Sequence, residues 1–141
     1  MYNYRMSEHL LLYDNLTPSL TTYVVAPCHP DHIEEGDHVK IMRLRNSSSA
    51  VLVNIRSNTE RDGRGTVLLQ AAVTWARKSG LNRLTGKMIT STPERTREWY
   101  EKRGVGVDGS NILSADLNEV LGLCAAIMAN RGDSYRIQNL R

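Results

Sequence analysis

The sequence predicts an α/β layer fold with at least one parallel pair of strands. Two observations carry the prediction. Residues 20–26 (LTTYVVA), 39–45 (VKIMRLR) and 50–56 (AVLVNIR) are β-branched or alternate apolar with charged, the pattern of strands. The third run leads through a glycine turn into an amphipathic helix and back into a strand. Such a strand–helix–strand crossover lays its two strands parallel.

Each element has its own warrant. Pro27 ends the first strand, and the polar stretch CHPDHIEEGDH (28–38) connects it to the second. Asn46-Ser47-Ser48-Ser49 reads as a turn, so 39–56 is a hairpin, with Val51–Ile55 apolar enough for a central strand. Val67, Leu68, Ala71, Ala72, Trp75 and Ala76 fall on one face of a helix that Arg77, Lys78 and Gly80 close. Leu84–Ile89 is a short strand. Thr92 is an N-cap, with Pro93 at the first helical position and Glu94 in the first turn, and this helix ends at Gly104. Leu117, Val120, Leu121, Cys124, Ile127 and Met128 define a third helix, closed between Asn130 and Gly132, and Tyr135–Leu140 reads as a last strand.

Composition bounds the rest. A chain of 141 residues, 40% hydrophobic, fits a single domain over 1–141. No apolar run is long enough to span a membrane. The N-terminal MYNYRMSEHLLLYDNL has only a short apolar patch flanked by Glu8 and Asp14, unlike a signal peptide. Cys28 and Cys124 make neither a disulfide framework nor a metal-binding spacing, so a reducing cytoplasm is the expected compartment. The net charge of +3 is too small to argue nucleic-acid binding by itself, although 14 Arg against 4 Lys is a bias toward the planar fork that suits phosphate and carboxylate.

The most informative stretch is Glu60-Arg61-Asp62-Gly63-Arg64-Gly65-Thr66, between strand and helix. Glycines let a ligand approach the backbone, and the helix start offers unpaired N–H groups with a partial positive charge, together an anion site. Arg61 and Arg64 can add charge-assisted bonds. The stretch lacks the Gly-Lys-Ser/Thr of a Walker loop and the third glycine of a dinucleotide fingerprint. A tight turn with no ligand is the plainer reading of these residues alone.

Residues 50–105 resemble the GNAT superfamily of N-acetyltransferases. That family carries Arg/Gln-x-x-Gly-x-Gly/Ala between strand and helix, with Leu-Leu shortly after; here stand Glu60-x-x-Gly63-x-Gly65 and Leu68-Leu69. The helix body QAAVTWARKSGLNRL also has the family's look. A later family helix ends like Phe-Tyr-Glu-Lys-x-Gly-Phe; here it reads Trp99-Tyr100-Glu101-Lys102-Arg103-Gly104-Val105. The resemblance implies a mixed β-sheet flanked by helices and acyl transfer from acetyl-CoA to an amine. It implies that the turn, Arg61 to Thr66, holds the CoA pyrophosphate. It implies that the strand end, with Val53, Ile55 and Ser57, offers backbone groups to the pantetheine arm. Tyr100 corresponds to the family's tyrosine beside the thioester sulfur, a general acid for the departing thiolate; a phenol with a pKa near ~10 is protonated at neutral pH and suits that task. Packing against Trp99 is its plain structural alternative.

Three departures stand out. Glu60 replaces the leading Arg/Gln, which leaves Arg61 to supply the charge. Pro93 stands where the family often has Asn. The family places two helices after its first strand, whereas only CHPDHIEEGDH separates the first two predicted strands, so the N-terminal acceptor side is shortened. His29, Asp31, His32, Glu34, Glu35, Asp37 and His38 crowd that connection; they match no zinc spacing, and no metal is expected. A lysine amine is only about 0.04% neutral at pH 7 and an α-amino group about 10%, so an acceptor needs a base to differing degrees. Glu34, Glu35 or a His can serve; Asn54 and Arg56, where some family members carry Glu, cannot.

The expectation is a GNAT-like acetyltransferase with acetyl-CoA as co-substrate and an amine acceptor, on a protein or a small molecule. Two alternatives stay open: a GNAT-fold binding module without catalysis, and a transferase acting on a nucleic-acid-linked amine such as aminoacyl-tRNA. A homodimer is among the expected assemblies.

Overall fold

The computed structural model describes residues 7–14, 21–26, 30–44, 46–57 and 63–140. Eight strands form one mixed sheet: β1 (Ser7–Asp14), β2 (Thr21–Val25), β3 (His38–Arg43), β4 (Ser49–Arg56), β5 (Arg83–Lys87), β6 (Gly106–Val107), β7 (Ile112–Asp116) and β8 (Ser134–Leu140). Helix α1 (Arg64–Lys78) follows β4, α2 (Pro93–Glu101) follows β5, and α3 (Leu117–Arg131) follows β7. The strand order is β6-β7-β5-β4-β3-β2-β1-β8. The expected crossover is present: β4 and β5 are parallel, joined through α1. The hairpin over 39–56 is present as the antiparallel pair β3–β4.

The core lies between one face of the sheet and the helices. Leu10, Leu12, Val24, Val39, Ile41 and Leu52 meet Val67, Leu68, Leu69, Ala72 and Ala76 of α1, all nearly or wholly buried. Burying a leucine or valine stabilises by about 1.5–3 kcal/mol each, which is how a chain without Phe can close a core. Helix α1 is buried along most of its length because α3 packs over it with Val120, Cys124 and Met128. Helix α2 joins the same layer: its Trp99 reaches Gly65 of α1, and Gly104 behind it meets Leu123 of α3. All three helices therefore share one face. Tyr13, Tyr23, Lys40 and Asn54, paired across four strands, lie on the other, which carries no α-helix among the described residues.

Caps follow the sequence. Thr92 takes the N-cap position of α2, with Pro93 first in the helix and Glu94 in the first turn, but its side chain makes no capping bond and its hydroxyl meets Thr90 and Thr96 instead. Asp116 caps α3 by accepting from the amides of Asn118 and Glu119 at 2.8 and 3.2 Å, and Gly132 ends it in the left-handed region at φ 74°.

Three expectations need correction. An unexpected strand, β1, precedes the first one read from the sequence; its LLL run lacks clean alternation because Leu10 and Leu12 are buried while Leu11 is half-buried on the opposite face. The shortened connection is consequently residues 15–20, between β1 and β2, and 26–37 joins β2 to β3. Strand β5 ends at Lys87 rather than Ile89, since Met88 turns away to bond Asn111. Strands β6 and β7 lie between the second and third helices, where no element is expected from the sequence. Among the described residues, no helix is long and apolar enough to cross a membrane.

Candidate active site

The site begins where two strands part. β4 and β5 pair from Ser49–Arg83 to Leu52–Gly86 and no further, although β4 runs on to Arg56. β5 stays instead with β7, through the pair Lys87–Ile112 and a 2.7 Å bond from the Met88 amide to the Asn111 carbonyl. On its other side β4 slips against β3: Lys40 faces Asn54 but Ile41 faces Leu52, so Val53 is an extra, bulged residue. The bulge breaks the in–out alternation, and Val53 and Asn54 are both exposed. Beyond Leu52, β4 therefore turns backbone donors and acceptors toward a gap rather than toward a neighbouring strand.

The gap widens into a cavity of about 590 Å³. Val53, Asn54, Ile55 and Ser57 form one wall, Lys87 to Thr92 a second, and Arg95, Thr96, Trp99 and Tyr100 of α2 a third, with Gly65 also lining it. The Ser57 hydroxyl oxygen is buried with no hydrogen-bond partner among the described residues. A buried hydroxyl left unbonded is costly unless a ligand or water completes it.

The glycine turn sits beside this cavity. Gly63 is the residue before α1 and is left-handed, φ 83°. A side chain there would be strained, and its Cβ would lie 2.7 Å from Nε of Arg131 and 2.8 Å from Oδ2 of Asp133. Gly65 has another reason to be glycine: its Cβ would lie 3.1 Å from Cζ2 of Trp99. Gly63, at the N-cap, has no side chain to cap α1, and the first-turn amides with the positive end of the helix are a feature that suits an anion.

Tyr100 is 9% exposed and stands edge-on to Trp99, ring centroids 5.2 Å apart at 87°. Burial pushes its phenol up to about 12. No hydrogen bond ties its hydroxyl among the described residues. Arg103 fixes the indole: its guanidinium lies 4.0 Å from the ring centroid, donates from Nε to the Thr66 hydroxyl at 3.0 Å, and donates to the Trp99 carbonyl at 2.8 Å. Burial lowers the Arg103 pKa from its ordinary value. Only the four-residue spacing from Trp99 hints at this clasp in the sequence.

The expected ligand-holding residues divide into groups. Val53, Ile55, Ser57, Gly65 and Tyr100 line one cavity. Thr66 is buried, with its hydroxyl used by Arg103. Arg64 is bound to Asp37, whose carboxylate oxygen lies 2.6 Å away, and so points toward the β2–β3 connection. Arg61 and Asp62, like Glu60, lie outside the described residues, as do Cys28 and His29. Cys124 is a free, buried thiol. Of the base candidates, Glu34 reaches Lys40 at 3.7 Å and Glu35 reaches His32 at 2.9 Å; neither lines the cavity. No three metal-ligating side chains converge among the described residues.

No protein-family model matches the sequence, and no curated protein does. Solved structures do match. A protein described as a GNAT-family acetyltransferase from Desulfovibrio desulfuricans superposes with a TM-score of 0.57 at 17% identity, covering 69% of each chain. The chain has the GNAT fold. The PaiA N-acetyltransferase of Thermoplasma acidophilum, solved with coenzyme A, shares that GNAT architecture at TM-score 0.54 and 19% identity over 68% of this chain and 60% of its own. BjaI, a CoA-dependent acyl-homoserine lactone synthase solved with SAM and isopentyl-CoA, reaches TM-score 0.58 at 9% identity over 86% of this chain and 70% of its own. At such identities the likeness concerns the fold alone.

Proposed function

We propose that this chain, as one domain over residues 1–141, transfers an acetyl group from acetyl-CoA to an amine. The parting of β4 and β5 around the cavity, with Tyr100 on its far wall, carries the reading. Acetyl-CoA supplies the activated acyl thioester. The residues present fit it: the donors of the Gly63–Gly65 turn suit its pyrophosphate, the backbone of Val53 and Ile55, where β5 no longer pairs with β4, suits its pantetheine amides, and the Ser57 hydroxyl gains a partner. The sheet face that carries no α-helix among the described residues gives the acceptor its approach. The amine attacks the thioester carbonyl carbon, the carbon–sulfur bond breaks, and the proton lost by nitrogen goes to solvent.

Tyr100 acts on the departing sulfur. Burial pushes its phenol up to about 12, so it is protonated at neutral pH and can donate its hydroxyl proton to the developing thiolate. Calorimetry with acetyl-CoA, followed by thiol release against a panel of amines, peptides and aminoacyl esters, tests the proposal. Absence of acetyl-CoA binding overturns it at its first step.

A further inference from the structure

The cavity between β4 and β5 is lined from both faces of the sheet. Gly65, Trp99 and Tyr100 reach it from the helix layer, and Lys87 reaches it from the other side. Strand alternation fixes this placement. Leu84 of β5 is buried in the core opposite Ala115, so Lys87, three residues on, faces away together with its cross-strand neighbour Ile112. Asn54, across the gap on β4, shares that facing.

Two properties set this mouth apart. The first is charge. Lys87 and Arg95 are the only charged side chains among the described lining residues, and Arg95 belongs to α2, in the helix layer. No carboxylate or imidazole is among them. The Lys87 ammonium has no hydrogen-bond or ion-pair partner among the described residues. The second is apolar exposure. Of the six large apolar side chains left well exposed among the described residues, three gather around Lys87. Val53, 39% exposed, and Ile89, 87% exposed, line the cavity, and Ile112, 39% exposed, is the neighbour of Lys87 on β7. A single exposed lysine or isoleucine is ordinary. An unpaired cation among three exposed apolar side chains at a cavity mouth is a two-part recognition site.

We propose that this mouth binds an apolar α-amino acid, with its carboxylate on the Lys87 ammonium and its side chain against Val53, Ile89 and Ile112. The amine shares the α-carbon with both anchors, so fixing the two leaves it little freedom. Diamines and polyamines suit the mouth poorly, since no carboxylate in the lining balances a further positive charge. That the amino acid is the acetyl acceptor rests on the transferase reading; that it binds here does not. In the transfer its nitrogen bonds to the thioester carbonyl carbon and the carbon–sulfur bond breaks. Coenzyme A leaves as the thiol with the proton Tyr100 supplies, and the proton lost by nitrogen returns through solvent to Tyr100. The products are an N-acetyl amino acid and coenzyme A.

NMR titrations of the isotope-labelled chain, with and without coenzyme A, test the site by binding alone. Leucine should bind at least about tenfold tighter than leucinamide, which lacks the carboxylate, and than glycine, which lacks the apolar side chain. Putrescine should bind no better than leucinamide. Lys87→Gln should erase the difference between leucine and leucinamide, and Lys87→Glu should reverse it. Ile89→Ser should weaken leucine and leave glycine unchanged. Thermal melts confirm that each variant is folded, and the wild-type comparison stands without them. Equal affinity for leucine and leucinamide, as recognition of a peptide N-terminus gives, overturns the proposal. So does a wild type that binds no leucine, or a preference that survives Lys87→Glu. A chain that binds leucine through Lys87 but never coenzyme A keeps the amino-acid site and overturns the transferase reading instead.

Discussion

Trp99 lies against Gly65 so closely that a Cβ on the glycine would sit 3.1 Å from the indole Cζ2. The start of α1 and the aromatic end of α2 are thereby locked at one spacing. Gly65→Ala should destabilise by roughly 1–3 kcal/mol through overpacking and weaken acetyl-CoA binding as the indole is displaced into the cavity. Trp99→Leu should relieve part of that in the double variant. A cycle of urea midpoints checks it; coupling of about 0.5–3 kcal/mol is expected for touching residues.

Tyr100→Phe removes a hydroxyl with no partner among the described residues and leaves the ring contact with Trp99. Acetyl-CoA affinity and melting temperature should hardly move. Turnover should fall by about 10²–10³, the usual loss of one donor to developing negative charge. Stopped-assay thiol release beside calorimetry separates the two. Equal loss of binding and rate would make the hydroxyl a binding group instead.

Alkaline pH should destabilise the fold through two buried acids. Burial raises the Tyr100 phenol to about 12 and the Cys124 thiol to about 11, against ordinary values of 10.0 and 9.0. Both folded values lie above the unfolded ones, so their contribution is complete below about pH 9 and is lost as pH rises through 11 and 12. Within that window each group costs up to about 1.4 kcal/mol per pH unit. Urea midpoints from pH 8 to 11 should fall more gently for Cys124→Ala combined with Tyr100→Phe than for the wild type.

Arg64→Ala should act on stability rather than on CoA. Its guanidinium is held by Asp37, whose side chain is only 4% exposed. Losing the charge-assisted bond to that buried carboxylate should cost about 1–3 kcal/mol, and Asp37→Asn should recover part of it. The salt dependence of acetyl-CoA binding should be unchanged. A flattened salt dependence in Arg64→Ala would return this arginine to the phosphate site.

The sequence disclosed the α/β layering, the β3–β4 hairpin, all three helices and the Gly63–Gly65 turn, because period, caps and turn chemistry are local. It hid what depends on partners across the sheet. Leu10 and Leu12 belong to a strand only because β2 and β8 flank them. The bulge at Val53 is invisible along β4, since it exists only relative to β3. Arg64 reads as a phosphate ligand until Asp37, far off in the chain, is brought beside it. Tyr100 stands out only through the family resemblance, and its raised pKa needs the burial that folding supplies.

The parallel pairing of β1 with β8 joins segments separated by nearly all of the described sequence. During synthesis β1 must wait, with its outer edge bare, until β8 has emerged and α3 has carried it across the sheet. Such long-range closure is entropically late and slow. The half-built sheet is therefore at its most vulnerable to mispairing along β1, and a chaperone that holds an extended segment would act there before anywhere else.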